Sequence, residues 1–260
     1  DTTWSLSVGR KINNSASSLG AIDGLQVEKH FGKLFAGTIT GFRPDIVDYG
    51  FNPDLLEYGG YIGYAKTNTK MDSRTTLGLL QQNNAGAVDR RYSYFQHSST
   101  FNNNLNLFSS FELDLFSTVN GEPTTKARLT NFYVSSRYRF SKKVDVFASY
   151  DSRRRVVYYE TYRTDVERLL EDDDAMQGAR LRVNVKPFKS TTLGASYSRR
   201  FQSDGENASD NINGYLTFSM NPAQVGRWSL QVNRNTTNYS RSDVLSVRHS
   251  RVLLKKKMNA

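Results

Sequence analysis

The chain of 260 residues contains no cysteine. That excludes a disulfide scaffold and any thiolate metal site. Long apolar runs are missing too: none approaches the roughly 18 consecutive residues that a transmembrane helix needs. Mean hydropathy is −0.60, so the average residue is polar. Helical membrane spans are thereby excluded, but a barrel in a membrane is not, because its strands alternate and average out polar. Helix-forming patterns are nearly absent. Histidine occurs only as His30, His97 and His249. A hydrolase built on histidine needs an acidic or amide partner beside it, and no such cluster can be assembled here; a surface histidine is the default reading. There is no glycine-rich phosphate loop and no metal-ligand cluster, so neither an enzyme nor a cofactor or metal is expected, and no residue is assigned as catalytic. No signal peptide opens the chain. DTTWSLSVGR is polar and runs directly into an alternating strand, so the expectation is a mature or trimmed protein, or a cytosolic one.

What the chain does have is strand chemistry. It holds 15 Tyr, 15 Phe and 2 Trp, with abundant Ser, Thr, Asn and Val, a supply that favours strands and turns. The stretch ARLRVNVKPF, residues 179–188, shows the pattern: Arg180, Arg182, Asn184 and Lys186 alternate with Ala179, Leu181, Val183 and Val185. About fourteen such period-2 runs are bounded by turn residues. In LTNFYVSSRYRF, Phe132, Val134, Ser136, Tyr138 and Phe140 oppose Asn131, Tyr133, Ser135, Arg137 and Arg139. In LNLFSSFELDLF, Leu105, Leu107, Phe111, Leu113 and Leu115 oppose Asn106, Phe108, Ser110, Glu112 and Asp114. Several runs exceed the roughly five or six residues of an average strand and approach the roughly 9–11 of a strand tilted across a bilayer. Net charge is +10, which points to nucleic acid, an anionic membrane surface or an anion pathway. The cations alternate with apolar residues along strands instead of forming one open patch, so nucleic acid is not expected as a partner.

The connections carry an independent signal, alternating long and short along the chain. Long loops are expected near 12–20, 43–57, 117–127, 160–178 and 202–211, with tight turns such as FGK, TNTKM, FNNN, SKK and PFKS between them. An intermediate connection is expected at NNAGAVD and again at TTNYSRSD. Long loops on one side and tight turns on the other characterise outer-membrane barrels.

On these strands and this rhythm the chain resembles the porin-like outer-membrane β-barrel proteins of Gram-negative bacteria, and its Asn-, Tyr- and Lys-rich style is similar to barrels from Bacteroidota. The resemblance is architectural and covers nearly the whole length. It implies an all-β, antiparallel up-and-down transmembrane barrel of about 14 strands, a single domain over 1–260. It also implies an outer-membrane location with both termini periplasmic, in contact with the lipid bilayer and lipopolysaccharide. One departure stands out. Such barrels usually end in an aromatic residue within the last strand, whereas this chain ends VLLKKKMNA. It is therefore expected to be either a piece of a larger barrel or a barrel with a non-standard end.

Hydrocarbon demands that every backbone polar group be paired, so a sheet there must close and turn its apolar face outward. Arg137, Arg139, Arg180, Arg182, Lys186 and Arg200 are then expected to face the lumen, with Glu112, Asp114, Asp145 and Asp151 on nearby strands. Facing rows of charge would form a constriction biased toward anions; the alternative is that the charges pair and fill the interior as a plug. Tyr58, Tyr61, Tyr64, Tyr92, Tyr94, Tyr138, Phe140, Tyr158, Tyr159 and Trp228 are expected to form interfacial girdles, the alternative being ordinary packing. Residues 164–178 read as an acidic helix with Val166, Leu169 and Leu170 on one face. It would fold over the mouth, dock a partner or bind a divalent cation, although its spacing is not that of an EF-hand; a solvated helix is the alternative. Phe51, Leu55 and Leu56 make the 43–57 loop apolar, as a partner contact, an in-folded constriction or a loop packed on itself. The leading functional expectation is an outer-membrane channel for small solutes, leaning toward anions. The competing one is a non-conducting barrel that anchors or scaffolds a larger outer-membrane complex through its loops.

Overall fold

The computed structural model describes residues 3–16, 19–45, 48–119, 122–154, 175–202, 207–220, 226–253 and 258–259. Among them there is no α-helix. Fourteen strands form one antiparallel sheet in meander order. The first seven are β1 (Trp4–Ile12), β2 (Ala21–Phe31), β3 (Leu34–Phe42), β4 (Leu55–Thr67), β5 (Met71–Asn84), β6 (Ala87–Phe101) and β7 (Leu105–Asp114). A small hairpin, β8 (Ser117–Val119) with β9 (Glu122–Thr124), interrupts them. The sheet resumes with β10 (Arg128–Arg139), β11 (Val144–Arg153), β12 (Met176–Val185), β13 (Thr191–Gln202), β14 (Ala208–Met220), β15 (Gly226–Thr237) and β16 (Arg241–Ser250). A two-residue pair, β17 (Val252–Leu253) and β18 (Met258–Asn259), follows. The all-β, up-and-down order of fourteen strands expected from the alternation is what the structure shows.

The connections depart from expectation in two places. Residues 85–86 alone join β5 to β6, with Ala85 at φ 49° and Gly86 at φ 89°, the backbone of a tight two-residue hairpin. Residues 238–240 alone join β15 to β16. Both had read as moderate loops because polar residues flank them. In a strand with one solvated face, polar residues belong to the ladder as readily as to a loop.

The chain divides into two compact units. One comprises Asp1–Val134 and Ser152–Asp173, the other Ser135–Asp151 and Asp174–Ala260. In the first unit one sheet face is apolar and exposed: Leu6 is 67% exposed, Val8 80%, Ile62 63% and Leu79 60%. The opposite face is buried and mixed: Glu57, Asp89 and Tyr94 are at 0% beside Ile22, Phe35 and Ile39 at 1%. A water-soluble sheet does not leave a whole apolar face exposed while it buries charges on the other. Glycines allow the buried face to pack. Gly37 lies under the ring of Tyr61, where a Cβ would overlap the ring, and Gly63 does the same for Phe35.

In the second unit the register carries the alternation across five strands. Leu181 pairs with Tyr197, Tyr197 with Ile212, Leu216 with Leu230, and Leu230 with Val247. One rung over, Arg182 pairs with Ser196, Ser196 with Asn213 and Asn213 with Asn233. A one-residue slip would transfer every side chain to the other face. The apolar face is exposed here too, as at Leu181, Ile212, Val232 and Leu245.

Candidate functional site

Two polar networks occupy the buried face of the first unit. In one, Arg90 on β6 reaches across to β7, its guanidinium 2.8 Å from Glu112 and 2.7 Å from Asp114. It also donates to the Thr130 hydroxyl at 3.3 Å and lies 4.0 Å from the centre of the Tyr92 ring. Tyr92 donates in turn to Glu57, which has the Arg43 guanidinium 3.5 Å away. Gln82 donates to Asp89 at 2.9 Å and accepts from Arg43 at 3.0 Å. Burial of this many charges is tolerated only where each finds partners.

The second network centres on Glu28 of β2. Its carboxylate accepts from Arg74 at 3.0 Å, from Ser15 at 2.9 Å and from Tyr61 at 2.9 Å, and His30 lies at 2.7 Å. Arg74 also donates to Ser15 and stacks 3.9 Å from the Phe35 ring centre. The segment after β1 is drawn onto this face. Asn13 donates to the Tyr61 hydroxyl at 3.1 Å, Gln96 donates to the Asn14 carbonyl at 3.2 Å, and Ala16 and Leu19 are buried beside Ile22, Ile39 and Tyr61. In this unit, then, charges, an apolar cluster and the segment after β1 cover this face. A cavity of about 370 Å³ remains beside it, bordered by Ser7, Lys11, Asn14, Gln26 and Arg74 among others.

The polar face of the second unit is different. Arg137, Arg139, Arg180, Arg182, Lys186 and Arg200 are all exposed. Register puts Arg180 opposite Ser198, Arg182 opposite Ser196 and Gly178 opposite Arg200, so Arg180, Arg182 and Arg200 share one face. Arg137 pairs with Asp145 at 3.0 Å, and Asn184 donates to the same carboxylate at 3.1 Å. Asp151 lies over Gly178, so close that a Cβ there would be 2.6 Å from its carboxylate. Arg180, Arg182, Lys186 and Arg200 have no ion pair with any described residue.

The expected site residues thus separate. Glu112 and Asp114 are buried and held by Arg90, while Asp145 and Asp151 lie among the cations of the second unit. Tyr61, Tyr92 and Tyr94 are corrected from girdle positions: they are buried on the polar face, with exposures of 6%, 1% and 0%. Parity along the strand decides this, since Tyr58 and Tyr64 lie on the other face and are exposed. Tyr138, Phe140 and Trp228 are exposed as well. Phe51 is exposed and stacks edge-on against Phe42, with centroids 5.1 Å apart, while Leu55 and Leu56 open β4 instead of belonging to a loop. Val166, Leu169, Leu170, Tyr158 and Tyr159 lie outside the described residues. Sequence reasoning missed Glu28, Arg74, Glu57, Arg43 and Arg90. The only signal available was parity, which puts Glu28, Glu57, Arg74 and Arg90 on the less apolar face of their strands; it does not pair them, since Glu28 and Arg74 stand three strands apart. No protein-family model matches this chain, and no curated protein matches it in sequence.

Proposed function

We propose that this sheet closes, β16 against β1, into a porin-like outer-membrane barrel whose basic wall passes small anions. An even number of strands in meander order leaves the first and last antiparallel, as closure needs, and in hydrocarbon neither edge can stay unpaired. The apolar exposed face would meet lipid, with the long loops external and the tight turns and both termini periplasmic. The observation that carries the function is the row of exposed arginines on β10, β12 and β13, with Lys186 directly after β12, five of the six without an ion pair to a described residue. Excess cations on a water-lined wall raise the local concentration of anions and lower their barrier to passage. Glu112 and Asp114 are buried in the other unit, where Arg90 binds both and offsets one of their two charges.

Purified protein in planar bilayers tests the reading. Under a salt gradient the reversal potential is expected to have the sign of anion preference, and Arg180→Glu with Arg182→Glu is expected to weaken or invert it. A sealed barrel, or cation preference in the unaltered protein, contradicts the proposal. Exposed Phe51 favours a second reading, a barrel that anchors a larger assembly through its 43–54 loop. That reading requires a partner to co-purify after mild detergent extraction and to be lost in Phe51→Ser. A chain that runs alone counts against it.

A further inference from the structure

At the turn between β10 and β11 the second unit forms a half-open cavity of about 240 Å³, bordered by Arg137, Arg139, Lys142, Lys143, Asp145 and Lys186 among others. The fold creates this density of charge. Arg137 and Arg139 lie two residues apart on β10, so they share a face. The turn that follows, SKK, supplies Lys142 and Lys143, and Ser141 accepts from the Lys143 amide at 3.1 Å. Lys186 is brought alongside because its amide donates to the Lys143 carbonyl at 2.7 Å. Five cations therefore border the cavity with one carboxylate, Asp145. That carboxylate is already engaged by Arg137 at 3.0 Å and Asn184 at 3.1 Å, and Asn184 is fixed in turn by the Tyr215 hydroxyl at 2.9 Å. Lys142, Lys143 and Lys186 have no carboxylate partner among the described residues, and Arg139 feels Asp145 only from beyond ion-pair distance.

Like charges gathered this closely repel one another unless an anion sits between them. The cavity is too small for a polymer and has room for one compact oxyanion. Guanidinium forks and ammonium donors suit tetrahedral oxygens better than a halide. From these observations we infer that the cavity is a binding site for a single phosphate group. The inference rests on the anion-conduit reading only for its place on a transport path. There the site would be the point where phosphate is drawn in ahead of chloride. The same chemistry is offered by free phosphate and by the headgroup of an anionic phospholipid.

Two probes separate these sources. The protein in non-ionic detergent is titrated with inorganic phosphate, followed by phosphorus NMR line broadening. In parallel, retention of phosphatidylglycerol is measured by native mass spectrometry. The same measurements are made on Lys142→Glu with Lys143→Glu, an exposed-turn variant whose folding is checked by heat-dependent gel mobility, and on Arg139→Gln. Saturable binding of inorganic phosphate, weakened tenfold or more in the double variant and weakened in Arg139→Gln, supports the site with free phosphate as its ligand. Selective retention of phosphatidylglycerol, lost in the same variants, supports it with the headgroup as ligand. Binding of neither probe, or equal binding by folded variants, overturns it. Phosphate binding without bilayer conductance would leave the site standing and remove the conduit. Anion-selective conductance with an unchanged phosphate-to-chloride ratio in the variants would leave the conduit standing and overturn the site's place on its path.

Discussion

Arg90 illustrates how much of this protein's polar interior is conditional. Its guanidinium bridges two buried carboxylates, and removing it would take from Glu112 and Asp114 the cation that both contact directly. Arg90→Met is expected to destabilise the protein by about 3–5 kcal/mol, because breaking a buried pair leaves uncompensated charge. Urea unfolding in phospholipid vesicles measures it, and a change under about 1 kcal/mol would show that the pair is solvated after all. A glycine makes the complementary case. Gly37→Ala would thrust a methyl group into the Tyr61 ring, whereas the nearest atom to a Cβ on Gly60 is 3.6 Å away. The expected cost is about 1–3 kcal/mol at Gly37, the usual range for overpacking, and little at Gly60, in the same unfolding assay.

At the scale of the strand, the sequence was most informative where one period governed everything. Side chains alternate with a period of two in any register, so the partition of Leu181, Val183 and Val185 from Arg180, Arg182 and Lys186 could be read directly. Parity does not reveal how each face is covered. Glu28, Glu57 and Arg90 were not singled out, because their partners come from other parts of the chain at separations that no local pattern encodes. Tyr61 was misplaced for a related reason. Its burial depends on Gly37 of β3, and only the pairing of β3 with β4 brings the two together. Asn13–Ala16 looked like an external loop since its residues are small and polar, the same properties that let it lie against Glu28, Arg74 and Tyr61. The strand scale also supplies a discriminating substitution. Leu79→Arg, on the exposed face of β5, is expected to cost about 2–4 kcal/mol if that face meets hydrocarbon. A strand facing water would tolerate it within about 0.5 kcal/mol. Unfolding in vesicles, with Leu181→Arg as a second site in the other unit, gives the value.

For the whole molecule, the meander order sorts the connections by charge. The turns after β2, β4, β10 and β12 carry Lys33, Lys70, Lys142, Lys143, Lys186 and Lys189, and no Asp or Glu. The connection after β3 instead carries Asp45, Asp48 and Asp54. A basic turn side suits contact with anionic phospholipid headgroups. Closure of the sheet belongs to this scale too, and the lack of native cysteine makes it simple to test. Paired cysteines scanned between Ser5 or Ser7 on β1 and Ser242, Ser246 or Ser250 on β16 are expected to give an intramolecular disulfide in membranes for at least one register. No cross-link at any pairing would indicate that β1 and β16 meet other strands.

The central claim is that the apolar face of this sheet lies against lipid while its basic face lies against water. Single cysteines at Leu79, Leu181, Val232 and Arg182, each carrying a fluorescent label in protein reconstituted into vesicles, test it most directly. Labels at the three apolar positions should be quenched by nitroxide-bearing lipids and spared by aqueous iodide, and the label at Arg182 should show the opposite. Iodide quenching at Leu79, Leu181 and Val232 with no effect of the lipid quencher would contradict the account.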